Sequence, residues 1–336
     1  MIWLWLACSS PAPVAPVPVA APPNVPTEEV RDMPLVIGHR GAPGHLPDHT
    51  LEGYRLAVQM GADFIEPDLV PTSDGHLIAR HENDLTHTTD IATRFPDRQA
   101  TKVIDGDTIT GWFSEDFTLA ELRTVRAVQP YASRPHEHDG AYGIPTLDEV
   151  LALRAELEAE VGRPVGVYPE TKHPSYFRAL GLAVERPLVA ALKAYDLDDE
   201  DDPVFLQSFE PSSLVLLATQ VPSRRVLLVG DPAARPVDSD RTYGELLADL
   251  PALRTWAHGI GVHTSHIWGP DGPNDLVQRA HGADLLVHVY TFRMEPDKLG
   301  HAAKGDPRQE LRAFFDHGVD GVFADYPDVA VEVRGR

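Results

Sequence analysis

Glu66 and Asp68 stand two residues apart in Phe64-Ile-Glu-Pro-Asp-Leu-Val70, a run whose aromatic and aliphatic character predicts a strand. At that spacing both carboxylates point to one face. Their repulsion there calls for a cation, and hard oxygen donors suit Ca²⁺ or Mg²⁺ better than zinc. Pro67 between them is awkward, because a central strand needs its backbone donors. Glu170 ends another strand-like run, 165–170, and adds a third carboxylate; Lys172, two residues on, either pairs with it or meets an anion. His39 and Arg40 follow Leu35-Val-Ile-Gly38 and bring an imidazole and a guanidinium to a similar position, with Gly38 and Gly41 removing bulk around them. His81 follows Gly75–Arg80, a hairpin extension that turns back over the same mouth. Two histidines beside a metal can divide general-acid and general-base work.

These residues need a scaffold that gathers strand ends. Eight strand-like runs, at 35–40, 64–70, 165–170, 204–208, 225–229, 258–262, 284–290 and 320–324, alternate with helical patterns at 50–60, 146–160, 175–195, 211–220, 273–281 and 307–317. Thr146-Leu-Asp-Glu149 has the form of a capping box. Strands alternating with helices imply parallel pairing, and eight units predict an α/β fold, a TIM (β/α)8 barrel. No Gly-x-Gly-x-x-Gly opens a helix, which argues against a dinucleotide site. Residues 82–145, rich in Asp, Thr, Gly, Pro and His, are too long for an ordinary connection and predict an insertion after the second strand, over the barrel mouth. Gln207 and Phe209 close the fourth strand and Asp325 the eighth, so the chemical residues collect at strand ends, where barrel enzymes build their sites. His136-Glu-His138 and His263-Thr-Ser-His266 look like metal pairs but lack matching ligands, and are read as loop or rim residues.

With 29 basic against 51 acidic residues, the net charge of −22 opposes binding to nucleic acid. No apolar run reaches the roughly 20 residues that span a bilayer. Cys8 is the only cysteine; it follows Met1-Ile-Trp-Leu-Trp-Leu-Ala and precedes a stretch from Pro11 to Pro26 with seven prolines. This resembles a lipoprotein signal and tether. The expectation is an exported protein on the periplasmic face, with residues 1–33 as leader, Cys8 as a lipid anchor and its only membrane attachment, and 34–336 as the barrel domain.

His39-Arg-Gly41 with Pro47-Asp-His-Thr50, Gly61-Ala-Asp-Phe-Ile-Glu66-Pro-Asp68, Thr72-Ser-Asp-Gly75 and His81 resembles the bacterial glycerophosphodiester phosphodiesterases. The run Asp90–Arg98, with Tyr168-Pro-Glu170-Thr-Lys172, Leu206-Gln-Ser-Phe209, Tyr290-Thr-Phe-Arg293 and Gly321-Val-Phe-Ala-Asp325-Tyr-Pro327, is similar to the periplasmic branch in particular. The resemblance implies a metal-dependent TIM barrel that cleaves glycerophosphodiesters, such as glycerophosphocholine and glycerophosphoethanolamine, to glycerol 3-phosphate and an alcohol. It implies that His39 and His81 are the acid/base pair, that Glu66, Asp68 and Glu170 bind the metal, Ca²⁺ before Mg²⁺, and that Arg40 and Lys172 meet the phosphate. Gln207, Phe209 and Phe292 are then substrate contacts. The attacking oxygen is either water or the substrate's own 2-hydroxyl. In three places the sequence departs from the family pattern: Glu82 stands where Asp is usual, Ala324 where Thr is common, and Pro67 splits the metal carboxylates. A lysophospholipase D, with an apolar groove lined by Trp112, Phe113, Trp256 and Trp268, and a noncatalytic glycerophosphodiester-binding lipoprotein are the alternatives.

Overall fold

A computed structural model describes residues 33–335; Cys8 and the leader expected before residue 33 lie outside them. Eight barrel strands follow the chain: β1 (Leu35–Gly38), β2 (Phe64–Ile65 continuing as Asp68–Pro71), β3 (Gly166–Val167 continuing as Glu170–Thr171), β4 (Phe205–Ser208), β5 (Arg224–Val229), β6 (Gly259–His263), β7 (Leu286–Phe292) and β8 (Gly321–Ala324). Each pairs in parallel with the next, from β1 on β2 through β7 on β8. Leu35–Gly38 also lies against Gly321–Ala324, so the sheet closes on itself as a TIM barrel.

The interruptions in β2 and β3 fall at Glu66-Pro67 and Tyr168-Pro169, adjacent positions on neighbouring strands. Proline removes a ladder donor at each place, and pairing resumes with Asp68 beside Glu170. The broken strands thus deliver the carboxylates to the C-terminal rim. Below them Ile37, Phe64, Tyr168, Phe205, Val226 and Phe323 fill the barrel's interior.

Helices at Leu51–Gln59 and Leu147–Val161 match their sequence patterns, and Thr146 and Glu149 make the reciprocal capping-box bonds. The single helix expected at 175–195 is instead two, Pro174–Ala179 and Glu185–Ala194, parted where Gly181 adopts φ 77°. Pro327–Arg334 was not anticipated; its opening proline reads as a breaker but sits in the first turn, where the missing donor costs nothing. Gly41 has a different task from clearing the site: at φ 98° its missing Cβ would meet the backbone carbon of Gly53 at 2.8 Å, so the glycine admits the first turn of helix Leu51–Gln59.

Within 82–145, Ala100–Ile104 and Asp107–Gly111 form a hairpin around Asp105 (φ 52°) and Gly106 (φ 97°). Asp-Gly is suited to such a turn because both positions need positive φ. Leu85, Ile91, Phe117, Leu122 and Val125 of this segment join the hydrophobic core, while Tyr131 and Arg134 reach the mouth.

Candidate active site

At the C-terminal rim His39, Arg40, Glu66, Asp68, His81, Glu170, Gln207 and Phe209 line one cavity of about 400 Å³. Tyr131, His263, Tyr290 and Arg293 complete much of its wall.

The three carboxylates come from two adjacent strands. Glu66, Asp68 and Glu170 are buried, and each offers an oxygen such that all three lie within 4.8 Å of one another. Glu66 is fixed at both ends: Oε1 accepts from Gln207 Nε2 at 2.7 Å, and Oε2 from the Arg40 backbone amide at 3.0 Å. Arg40 has φ 54°, an uncommon conformation for a residue with a Cβ, and this turn aims its amide at Glu66. Asp68 Oδ2 accepts from His49 Nε2 at 3.1 Å, while Oδ1 is buried without a partner. Glu170 Oε1 lies 3.1 Å from Lys172 Nζ.

Burial drives the Glu66 carboxyl well above its usual range, and the charges of Asp68 and Glu170 push it further. Glu170 rises to about 8, again chiefly through burial, against the pull of Lys172. Burial would raise Asp68 as well, but His49 leads the groups that hold it well below. Carboxylates crowded in this way are stabilised by a hard cation, and the orphaned Asp68 oxygen and the all-oxygen donor set fit a divalent ion of the Ca²⁺ or Mg²⁺ kind.

The two histidines flank the triad, each with Nδ1 against a carboxylate. His39 Nδ1 is 2.5 Å from Asp325 Oδ1, and its Nε2 lies 3.9 Å from Glu66. His81 Nδ1 is 2.8 Å from Glu82 Oε1, and its Nε2 lies 3.4 Å from Lys172 Nζ. A carboxylate at Nδ1 keeps the ring proton there; the lone pair of His39 Nε2 is left open, whereas that of His81 Nε2 accepts from Lys172. Burial, with Arg40 next, lowers His39 to about 4; burial, Arg40 and Lys172 lower His81 to about 3. Both rings are therefore neutral at pH 7 and can accept a proton. Arg40 Nε is buried with no hydrogen-bond partner, and its nearest carboxylates, Asp68 at 3.6 Å and Asp48 at 3.5 Å, are too distant for strong bonds. The guanidinium keeps donors for an anion.

One expected position is corrected. Phe292 is 1% exposed and packs edge-on against Phe314 in the core, so its neighbours Thr291 and Arg293 face the cavity instead. The register of β7 against β8 shifts between Val289 and Phe292, so Tyr290 reaches the cavity while Phe292, two residues on, turns into the core. Gln207 lines the cavity as expected; its Nε2 donates to Glu66, while its buried Oε1 has no partner. Of the four aromatics considered for an apolar groove, Trp112 donates to Phe95 O, Phe113 is fully buried, Trp268 packs on Phe314, and the Trp256 carbonyl holds Arg225; none lines the cavity. His263 reaches the rim, whereas His266 bonds Gly230 O and His136 bonds Asp139.

Several pairings at the site were not readable in the sequence. His49, fully buried, links Asp68 to the Tyr54 hydroxyl at 2.8 Å. Asp325 is held by Arg293 Nε at 3.1 Å and by Arg134, which also bonds Glu295 at 2.6 Å. His49 lay in a quoted motif and Asp325 at a strand end, which were usable signals; Arg134 carried none.

A family model described as the glycerophosphoryl diester phosphodiesterase family matches residues 39–329. A glycerophosphodiester phosphodiesterase of Arabidopsis thaliana is 36% identical over 315 residues, spanning 87% of this chain and 84% of its own. The glycerophosphodiester phosphodiesterase of Haemophilus influenzae is 27% identical over 92% of each chain. Among solved structures, an Oleispira antarctica phosphodiesterase in complex with sn-glycerol-3-phosphate has a TM-score of 0.58 over 90% of this chain and 98% of its own, at 22% identity, a likeness of fold.

Proposed function

The chain belongs to the glycerophosphoryl diester phosphodiesterase family and is an enzyme of that activity, and on this premise we propose that its cavity hydrolyses glycerophosphocholine, glycerophosphoethanolamine and similar diesters by His39/His81 acid-base catalysis with a divalent metal. The observation that supports this most is the pairing of two carboxylate-backed imidazoles with a buried carboxylate triad in one cavity.

Glu66, Asp68 and Glu170 would hold Ca²⁺, with Mg²⁺ as the alternative; bound there, the ion supplies positive charge to the phosphate oxygens and relieves the repulsion among its ligands. Arg40, which lines the cavity, donates to the phosphate through its guanidinium, and Lys172 adds a second positive charge beside Glu170. This local charge overcomes the repulsion that a −22 chain exerts on an anionic substrate. One imidazole takes a proton at Nε2 from the attacking oxygen as the new P–O bond forms. The other, protonated in the substrate complex, returns a proton to the leaving alcohol oxygen as the old P–O bond breaks. Water is consumed, and glycerol 3-phosphate and the free alcohol are the products. Phe209 and Tyr290 form an aromatic wall beside the triad for the substrate's carbon skeleton.

Assay of released glycerol 3-phosphate tests the reading: glycerophosphocholine is turned over with Ca²⁺ present and faster than lysophosphatidylcholine. Binding without release would leave a noncatalytic carrier, and preference for the acylated substrate would leave a lysophospholipase D. Placement is a separate proposal, supported by the leader's composition: Cys8 carries lipid and holds the barrel at the periplasmic face, since each buried CH₂ contributes roughly 0.8 kcal/mol. Fractionation of wild type against Cys8→Ser decides it; a mutant still in the membrane pellet ends that idea.

A further inference from the structure

The His81 ring is backed by more than one residue. Glu82 uses its two oxygens on two rings: Oε1 lies 2.8 Å from His81 Nδ1 and Oε2 lies 2.9 Å from His173 Nε2. The other nitrogen of His173, Nδ1, lies 2.5 Å from Asp105 Oδ2, at the turn of the hairpin Ala100–Gly111. Both ring nitrogens of His173 are thus engaged by carboxylates, and its backbone sits at φ 45°, a conformation that the surrounding contacts must maintain. Burial alone would lower His173, but Asp105 and Glu82 raise it to about 9, so it is an imidazolium at pH 7 and donates from both nitrogens. Its donation to Glu82, with that of His81, holds Glu82 ionised against burial.

We propose that Asp105, His173 and Glu82 form a positioning relay that fixes the ring orientation and tautomer of His81, so that the hairpin tip sets turnover through two intermediaries. The relay rests on the reading of His81 as catalytic. Each link constrains the next: Asp105 anchors His173, His173 occupies one oxygen of Glu82, and the other oxygen then has a fixed place for the His81 Nδ1–H. A proton kept at Nδ1 leaves Nε2 as the reactive nitrogen. The Glu82 stem reaches far enough for one carboxylate to span both rings.

The test uses the full chain with Ca²⁺ and glycerophosphocholine. Asp105→Gly keeps the positive-φ turn while removing the carboxylate. It is expected to lower kcat roughly tenfold, part of what a positioned base contributes, with KM within about twofold because the substrate contacts remain. In a Glu82→Gln background the same substitution is expected to cost nothing further, since the link it acts through is already cut. His173→Gln, at the middle of the relay, gives the same kcat loss. Nitrogen-15 shifts of the His81 ring report the Nδ1–H form in wild type and a mixture of tautomers in Asp105→Gly. Asp107→Ala, on the exposed side of the same turn, leaves turnover unchanged. Wild-type kcat in Asp105→Gly, losses that simply add in the double variant, or an equal loss in Asp107→Ala each overturn the relay. Should His81→Ala itself keep normal turnover, the catalytic reading falls first; if His81→Ala is inactive and Asp105→Gly is silent, the relay alone falls.

Discussion

Asp325 and Glu82 do the same thing for two different rings: each takes the Nδ1 side of a cavity histidine and leaves Nε2 as the acceptor nitrogen, beside Glu66 in His39 and beside Lys172 in His81. Asp325 is the more deeply fixed, held by Arg134 and Arg293 and kept well below the usual carboxylate range, chiefly by His39 and Arg134, against burial. Asp325→Asn keeps the shape but removes the charge that favours the protonated ring. It is therefore expected to lower kcat by roughly ten- to a hundredfold while KM changes little; steady-state kinetics on glycerophosphocholine read both. His39, Arg40, Glu66, Asp68 and Glu170 were legible in the sequence because charged side chains at the ends of apolar runs are conspicuous. Their pairings were not. Asp325 is 286 residues from His39, and Arg134 is 191 residues from Asp325, so nothing local in the chain announces either bond. Phe292 misled for the opposite reason: a motif position was taken for a contact, and an irregularity in the register of β7, between Val289 and Phe292, turned the ring into the core.

At the scale of elements, the prolines are the instructive case. Pro67 is at odds with a continuous central strand, and the structure answers by breaking β2 there and β3 at Pro169, which is how three carboxylates come to share a rim. The eight strands were readable because parallel barrel strands are buried runs of aliphatic residues bounded by polar ones. The split of 175–195 into two helices was marked by Gly181, a weak signal inside a strongly helical pattern. The hairpin clasp gives a pH prediction. His173, facing Asp105, Glu82 and Lys172, has a folded pKa of about 9 against 6.5 for the free side chain. A raised value means that its charged form stabilises the fold fully below pH 6.5 and that this contribution is lost as the pH rises through 9. Denaturant midpoints measured from pH 6 to pH 10 should fall more steeply for wild type than for His173→Gln. Parallel curves for the two proteins would contradict this.

For the whole molecule, closure of the ring matters because the site draws on every side of it: His39 follows β1, Glu170 lies in β3, Gln207 in β4, Arg293 follows β7 and Asp325 follows β8. An ion bound only by the closed ring must favour the folded state. At about a hundred times its dissociation constant, Ca²⁺ is expected to add about 2.7 kcal/mol and to raise the melting midpoint by about 5 °C. Asp68→Asn should abolish most of that rise, and calorimetry with and without chelator measures it. The central claim, that two imidazoles share proton transfer in one cavity, is tested most directly by turnover of glycerophosphocholine at saturating substrate and Ca²⁺ in His39→Ala and His81→Ala. The account predicts that each variant loses at least about a hundredfold in kcat while still showing the Ca²⁺-dependent rise in melting temperature. Near-normal turnover in either folded, metal-responsive variant would contradict it.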